Sequence, residues 1–184
     1  MGRHAEALAE IRRAQVLDPL SLIINAVGGL VYNWAGMYDN AVEECRRTLD
    51  MDQGFYPAHL YLAWIYGNQG KNDEAFSEYM KTEMLSGASP GQIDRVKKSY
   101  ATSGLQGYWL ERLNILQERA TQRYTPPHRF AEAFAGAGNK DQAFRWLEMS
   151  YEERSYQVFL TMMKPAWNDL RSDPRYISLL KRTG

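Results

Sequence analysis

The chain has 184 residues, enough for a sizeable core in one domain or two small ones, and 22 Lys and Arg balance 22 Asp and Glu. A net charge of zero predicts no overall field towards nucleic acid or anionic lipid, so charged partners would have to be met by local patches. The single cysteine, Cys45, excludes an internal disulfide and fits a reducing, cytoplasmic setting. No run of about 18 apolar residues occurs, so no membrane helix is expected.

Residues 3 to 17 put Ala7, Leu8, Ile11, Ala14 and Gln15 on one helical face, and Asp18 with Pro19 stops that helix. The apolar segment from Leu22 to Trp34 reads as the next helix. Its Gly28 and Gly29 each cost about 1 kcal/mol of helix propensity, which predicts a close neighbouring helix. Gly36 ends that segment, and residues 39 to 50 form its partner with Ala41, Val42, Cys45 and Leu49 inward. The same plan returns from Tyr56 to about Ser89, with Leu62, Ala63 and Tyr66 before the turn at Gly70 and Ala75, Phe76 and Tyr79 after it.

The spacing is regular. Gly2, Gly36, Gly70, Gly104 and Gly138 recur at one constant interval, and Ala7, Ala41, Ala75 and Ala143 each follow one of them at the same offset. A period of this size marks a stacked helical array, in which each helix pair completes its apolar core only against its neighbours. The alanines predict close helix contacts. Trp109 takes the alanine's place in the fourth unit, which predicts splayed or displaced helices there. Pro126 and Pro127 open the fifth unit, where Ala131, Phe134, Ala143, Phe144 and Leu147 restore the pattern.

After Arg154 the phase is expected to end. Val158, Phe159, Leu160, Met162, Met163 and Trp167 are expected to cover the fifth unit, and Asp173 with Pro174 begins a last short helix. The predicted organisation is one domain over 1–184. It comprises a half-repeat (1–21), helix pairs 22–55, 56–89, 90–123 and 124–154, and a cap (155–184). Because Met1 falls just before the first glycine, the first unit is read as lacking its first helix, as in a piece of a longer parent protein.

Small residues at places eight and twenty, an aromatic at place eleven (Tyr32, Tyr66, Tyr100, Phe134) and a large residue at place twenty-four (Ile11, Cys45, Tyr79, Leu113, Leu147) resemble the tetratricopeptide (TPR) repeat. The resemblance implies an all-α, right-handed solenoid of antiparallel helix pairs with a C-terminal capping helix. The stretches KDQAFRWLEMSYEERS and DLRSDPRYISLLKR also resemble the terminal part of TPR modules in bacterial multidomain regulators, which implies a regulatory setting.

No residue set announces a reaction. His4, His59 and His128 are read as lacking partners at a metal-site spacing, and His59 and Cys45 are expected to be structural. Adjacent glutamates (Glu43 with Glu44, Glu152 with Glu153) point about 100° apart on a helix and make no acid–base couple. The glycines form no phosphate loop. Arg95, Lys97 and Lys98 are interrupted by Asp94, and nucleic-acid binding is not expected. The reading is therefore a non-enzymatic scaffold with no catalytic residue, metal or cofactor.

In TPR-like stacks the first helix of each unit lines a concave groove. That implies a partner-binding set of Leu30, Asn33, Trp34, Leu60, Tyr61, Trp64, Asn68, Arg95 and Lys98, with the aromatics anchoring a peptide or helix. The Lys and Asn set that holds a peptide's terminal carboxylate in some TPR modules is absent: Ala26, Leu30, Tyr61 and Gly91 stand in its places and only Arg95 fits. Two other readings stay open: a small-ligand sensory domain governing an attached effector, and self-association as a homodimer through the incomplete first repeat, where Leu8 and Ile11 lack a partner helix.

Overall fold

A computed structural model describes residues 3–183, most of which are helical, with no strand among them. Gly2, the first of the recurring glycines, lies outside the described residues. The chain divides into two compact units, Met1–Ser89 and Pro90–Gly184.

The N-terminal unit holds α1 (His4–Leu17), α2 (Leu22–Trp34), α3 (Tyr38–Met51), α4 (Tyr56–Asn68) and α5 (Asn72–Leu85). α2 pairs with α3 and α4 with α5, while α1 packs on α2, α3 on α4, and α2 on α4. Each pair is closed by a glycine in the left-handed region, Gly36 at φ 76° and Gly70 at φ 72°. The amides of Met37 and Lys71 then donate back to the carbonyls of Tyr32 and Tyr66, both at 2.9 Å. This helix-ending motif satisfies carbonyls the helix leaves open, and an L-residue at the glycine would be strained.

Inside the first pair, a β-carbon on Gly29 would overlap the Sγ of Cys45, so the missing side chain sets how closely α2 and α3 approach. Ala41, Cys45 and Ala75 are fully buried, and burial, with the nearby Glu44 and Glu78 carboxylates adding to it, pushes the Cys45 thiol up to about 12. Ala7, the first rung of the alanine ladder, is instead exposed. α1 docks on α2 with Leu8, Ile11, Ala14 and Gln15 half-buried, which leaves Ala7 open to solvent.

Contacts repeat with the sequence period. Arg12 Nε donates to the Tyr32 hydroxyl at 3.2 Å, and one repeat later Arg46 Nη2 donates to the Tyr66 hydroxyl at 3.1 Å. Each bond ties the second helix of one pair to the first helix of the next.

The C-terminal unit opens with α6 (Pro90–Ala120), which is interrupted at Ser103 and at Gly104, where φ is 57° and ψ −145°. Its arms, 90–102 and 105–120, fold back on each other, so that Arg95 reaches Glu111 at 2.6 Å and Glu118 at 2.8 Å. The arms are not forced apart by Trp109. Gly107 provides the close contact two residues earlier, against the Ser99 backbone, and the Trp109 ring turns instead onto Gly136 of α7 (Pro127–Gly136). No β-carbon could stand at 136 without meeting that ring.

α8 (Lys140–Glu152), α9 (Gln157–Met162), a 3₁₀ helix (Pro165–Leu170) and α10 (Pro174–Thr183) complete the unit. α9 and the 3₁₀ helix pack on α7, and α10 packs on α8 and α9. Val158, Met162 and Trp167 are buried there beside Phe144 and Leu147. Phe159 points outward, with Leu160 and Met163 half-buried, because a six-residue helix can turn only one stripe to the core.

The repeat spacing outlasts Arg154. Arg175 bonds Asp141 and lies 4.2 Å from the centre of the Phe144 ring, and two turns on Arg182 bonds Glu148 and lies 4.2 Å from the centre of the Tyr151 ring. Both ion pairs span one full period of the repeat, so α10 runs parallel to α8, one repeat length later. Pro165 and the 3₁₀ segment break the helical period between them and conceal this in the sequence.

Candidate functional site

The nine residues expected to line a groove do not share one environment. Leu30, Asn33 and Trp64 are buried and serve as walls between helices, not as a surface. Asn68 Nδ2 donates to Asn33 Oδ1 at 3.0 Å, which locks α4 to α2 through the two amides. Trp34, Leu60, Tyr61 and Asn68 remain half-buried on these two helices. The rings of Tyr61 and Trp64 lie 5.3 Å apart, and burial, then the Cys45 thiol, raises the Tyr61 hydroxyl above its ordinary pKa. Arg95 and Lys98 are exposed in the C-terminal unit, where Glu111 and Glu118 occupy the Arg95 guanidinium.

A polar node that sequence reasoning passed over occurs twice in the N-terminal unit. In its first copy Asn25 Nδ2 donates to the Pro19 carbonyl at 2.9 Å, Gln15 Nε2 donates to Asn25 Oδ1 and Glu44, and Arg47 donates to Glu44 at 2.6 Å. One repeat later His59 takes the place of Asn25. Its Nε2 donates to the Gln53 carbonyl at 2.9 Å, its Nδ1 lies 2.6 Å from Glu78 Oε2, and Lys81 donates to Glu78 at 2.7 Å. In this second copy Leu49 stands where Gln15 stood. A cleft of about 460 Å³ opens there, lined by Leu49, Asp50, Gln53, His59, Lys81, Met84 and Leu85. The signal lay in aligned columns: Asn25 with His59, Glu44 with Glu78, Arg47 with Lys81.

The C-terminal unit carries a second polar group. Lys164 Nζ, beside the start of the 3₁₀ helix, lies 2.6 Å from Glu132 of α7, and both side chains are largely buried. One turn back stands His128, so it does have a carboxylate at helical spacing, contrary to the sequence reading. Two such groups do not make a metal site, and no cluster of three His, Cys, Asp or Glu able to hold one occurs among the described residues.

The buried Nδ1 of His128 has no hydrogen-bond partner, and burial, reinforced by the Lys164 charge, lowers its pKa to about 4. The folded chain thus resists a proton that the unfolded chain accepts near pH 6.5. Stability is expected to be unaffected by His128 above pH 6.5 and to fall as the pH drops from there to about 4. Urea unfolding at pH 7 and pH 5 should show a smaller stability difference in His128→Gln than in wild type. An equal difference would place the acid sensitivity elsewhere.

The zero net charge conceals two opposite halves. Met1–Ser89 has 7 Lys and Arg against 12 Asp and Glu, and Pro90–Gly184 has 15 against 10, giving −5 and +5. The whole chain has no net charge, as read from the sequence, while each unit by itself carries charge of one sign. No helix among the described residues is long and apolar enough to cross a membrane.

Compared with protein-family models and with curated proteins, the chain matches neither.

Proposed function

We propose that this chain is a non-catalytic, TPR-like interaction module of a larger regulatory protein, binding a peptide or helix of a partner on the face shared by α2 and α4. The observation that carries the reading is the translation of specific contacts by one sequence period, Arg12–Tyr32 onto Arg46–Tyr66 and Asn25–Pro19 onto His59–Gln53. Contacts repeated at the sequence period are what stacked, near-identical units produce.

The residues that support binding on this face are Trp34 and Tyr61, aromatics only half-buried by their own unit. Large rings left partly open on a rigid pair of helices bury much area at little entropic cost, and such rings dominate binding energies elsewhere. Leu60 and Asn68 flank them. Trp64 supports Tyr61 from within.

Once the natural partner is isolated, Trp34→Ala with Tyr61→Ala is expected to weaken its binding by at least about a hundredfold, as two anchors each worth about 2 kcal/mol would. Calorimetric titration of wild type and variant measures this. Equal affinity would remove the α2–α4 face from consideration.

A further inference from the structure

We infer that a second surface of the N-terminal unit, the edge formed by its 18–21, 52–55 and 86–89 connections, docks a basic amphipathic segment of a partner protein.

The unit's exposed apolar residues are one-sided. Of the eight large exposed hydrophobics among its described residues, only Met37 lies by the glycine turns, and the other seven crowd the opposite edge. They follow the repeat: Leu17, Met51 and Leu85 hold the same place in successive units and are 78%, 42% and 46% exposed. Leu20 and Met84 stand beside them, 76% and 55% exposed. Neighbouring units approach each other along this edge, since Met51 Sδ lies 4.0 Å from Asn25 Nδ2 beside the first connection, and a β-carbon on Gly54 of the second would sit 4.0 Å from Leu85 Cδ2. The cleft of about 460 Å³ before His59 opens on the same edge, between Leu49 and Leu85. Apolar residues gathered on one side mark an interaction surface, and methionines there adapt to varied side chains.

Charge selects the occupant. Asp18, Asp50 and Asp52 are all exposed among these apolar residues. Of the cations in this column of the repeat, Arg47 and Lys81 are paired with Glu44 and Glu78, and the exposed Arg13 offsets only one of the three aspartates. The unit as a whole carries −5. An anionic membrane would be repelled. A second copy, meeting this edge with its own, would set the same aspartates against each other. A segment with apolar residues on one face and Lys or Arg on the other satisfies both the apolar edge and its acids.

The test uses the full chain and two labelled helical peptides, one of Leu and Lys at amphipathic spacing and the other with Glu in place of each Lys, followed by fluorescence anisotropy. The Lys peptide should bind at least about tenfold more tightly than the Glu peptide, and Leu17→Ser with Leu85→Ser should weaken it at least about tenfold. Asp18→Lys with Asp50→Lys should reverse the preference, which a merely misfolded variant would not do. Tyr61→Ala, on the α2–α4 face, should leave Lys-peptide binding unchanged, so this surface stands or falls separately from that one. Equal binding of both peptides, insensitivity to the edge substitutions, or loss only of a concentration-dependent dimer or of binding to phosphatidylserine vesicles would overturn the proposal.

Discussion

Trp109→Ala is expected to cost about 3–5 kcal/mol, because it empties the space of a buried ring packed between its own hairpin and α7. Gly136→Ala is expected to cost about 1–3 kcal/mol for the opposite reason, an added methyl driven into the same ring. The two losses should not add. With both changes the methyl at 136 occupies part of the room that the indole left, so the double variant should be more stable than the sum predicts by about 0.5–3 kcal/mol. Urea denaturation of the three variants and wild type closes the cycle. Strict additivity would mean that Gly136 owes its identity to something other than Trp109.

The second large effect is expected at the buried ion pair of the C-terminal unit. Lys164→Met leaves the Glu132 carboxylate largely buried without its 2.6 Å partner, a loss of about 3–5 kcal/mol for pairs of this kind. Replacing both residues with Met removes the stranded charge together with its partner. Most of the stability should then return, since apolar pairs of similar volume often match a buried ion pair. Unfolding midpoints of the single and double variants decide the matter. If the single variant lost less than about 1 kcal/mol, solvent would be reaching Glu132 and the pair would behave as a surface contact.

Helix limits and turns were legible because they depend on neighbours in the chain. Pro19, Gly36, Gly70, Gly104 and Pro127 each act within a few residues, through a missing donor or an accessible positive φ, and the chain turns or begins a helix where they stand. The repeat period was legible for the same reason. The site was much less so. The place of Leu30, Asn33 and Trp64 in the helix gives a direction but not a depth, and packing within the N-terminal unit buries all three. The node around His59 and the pair of Lys164 with Glu132 join residues 19 and 32 positions apart, a separation at which no local signal operates.

Taken by itself, the sequence determined a helical chain of regular units and the small residues at their tightest contacts, because propensity, capping and periodicity are short-range properties of a polymer. Only the tertiary structure decided where the Trp109 ring goes, that α10 keeps step with α8, and that the apolar residues left over in the N-terminal unit gather on one acidic edge. Each of these depends on which helices lie side by side. A side chain's burial and partners are fixed by all its neighbours in space, most of them far away along the chain.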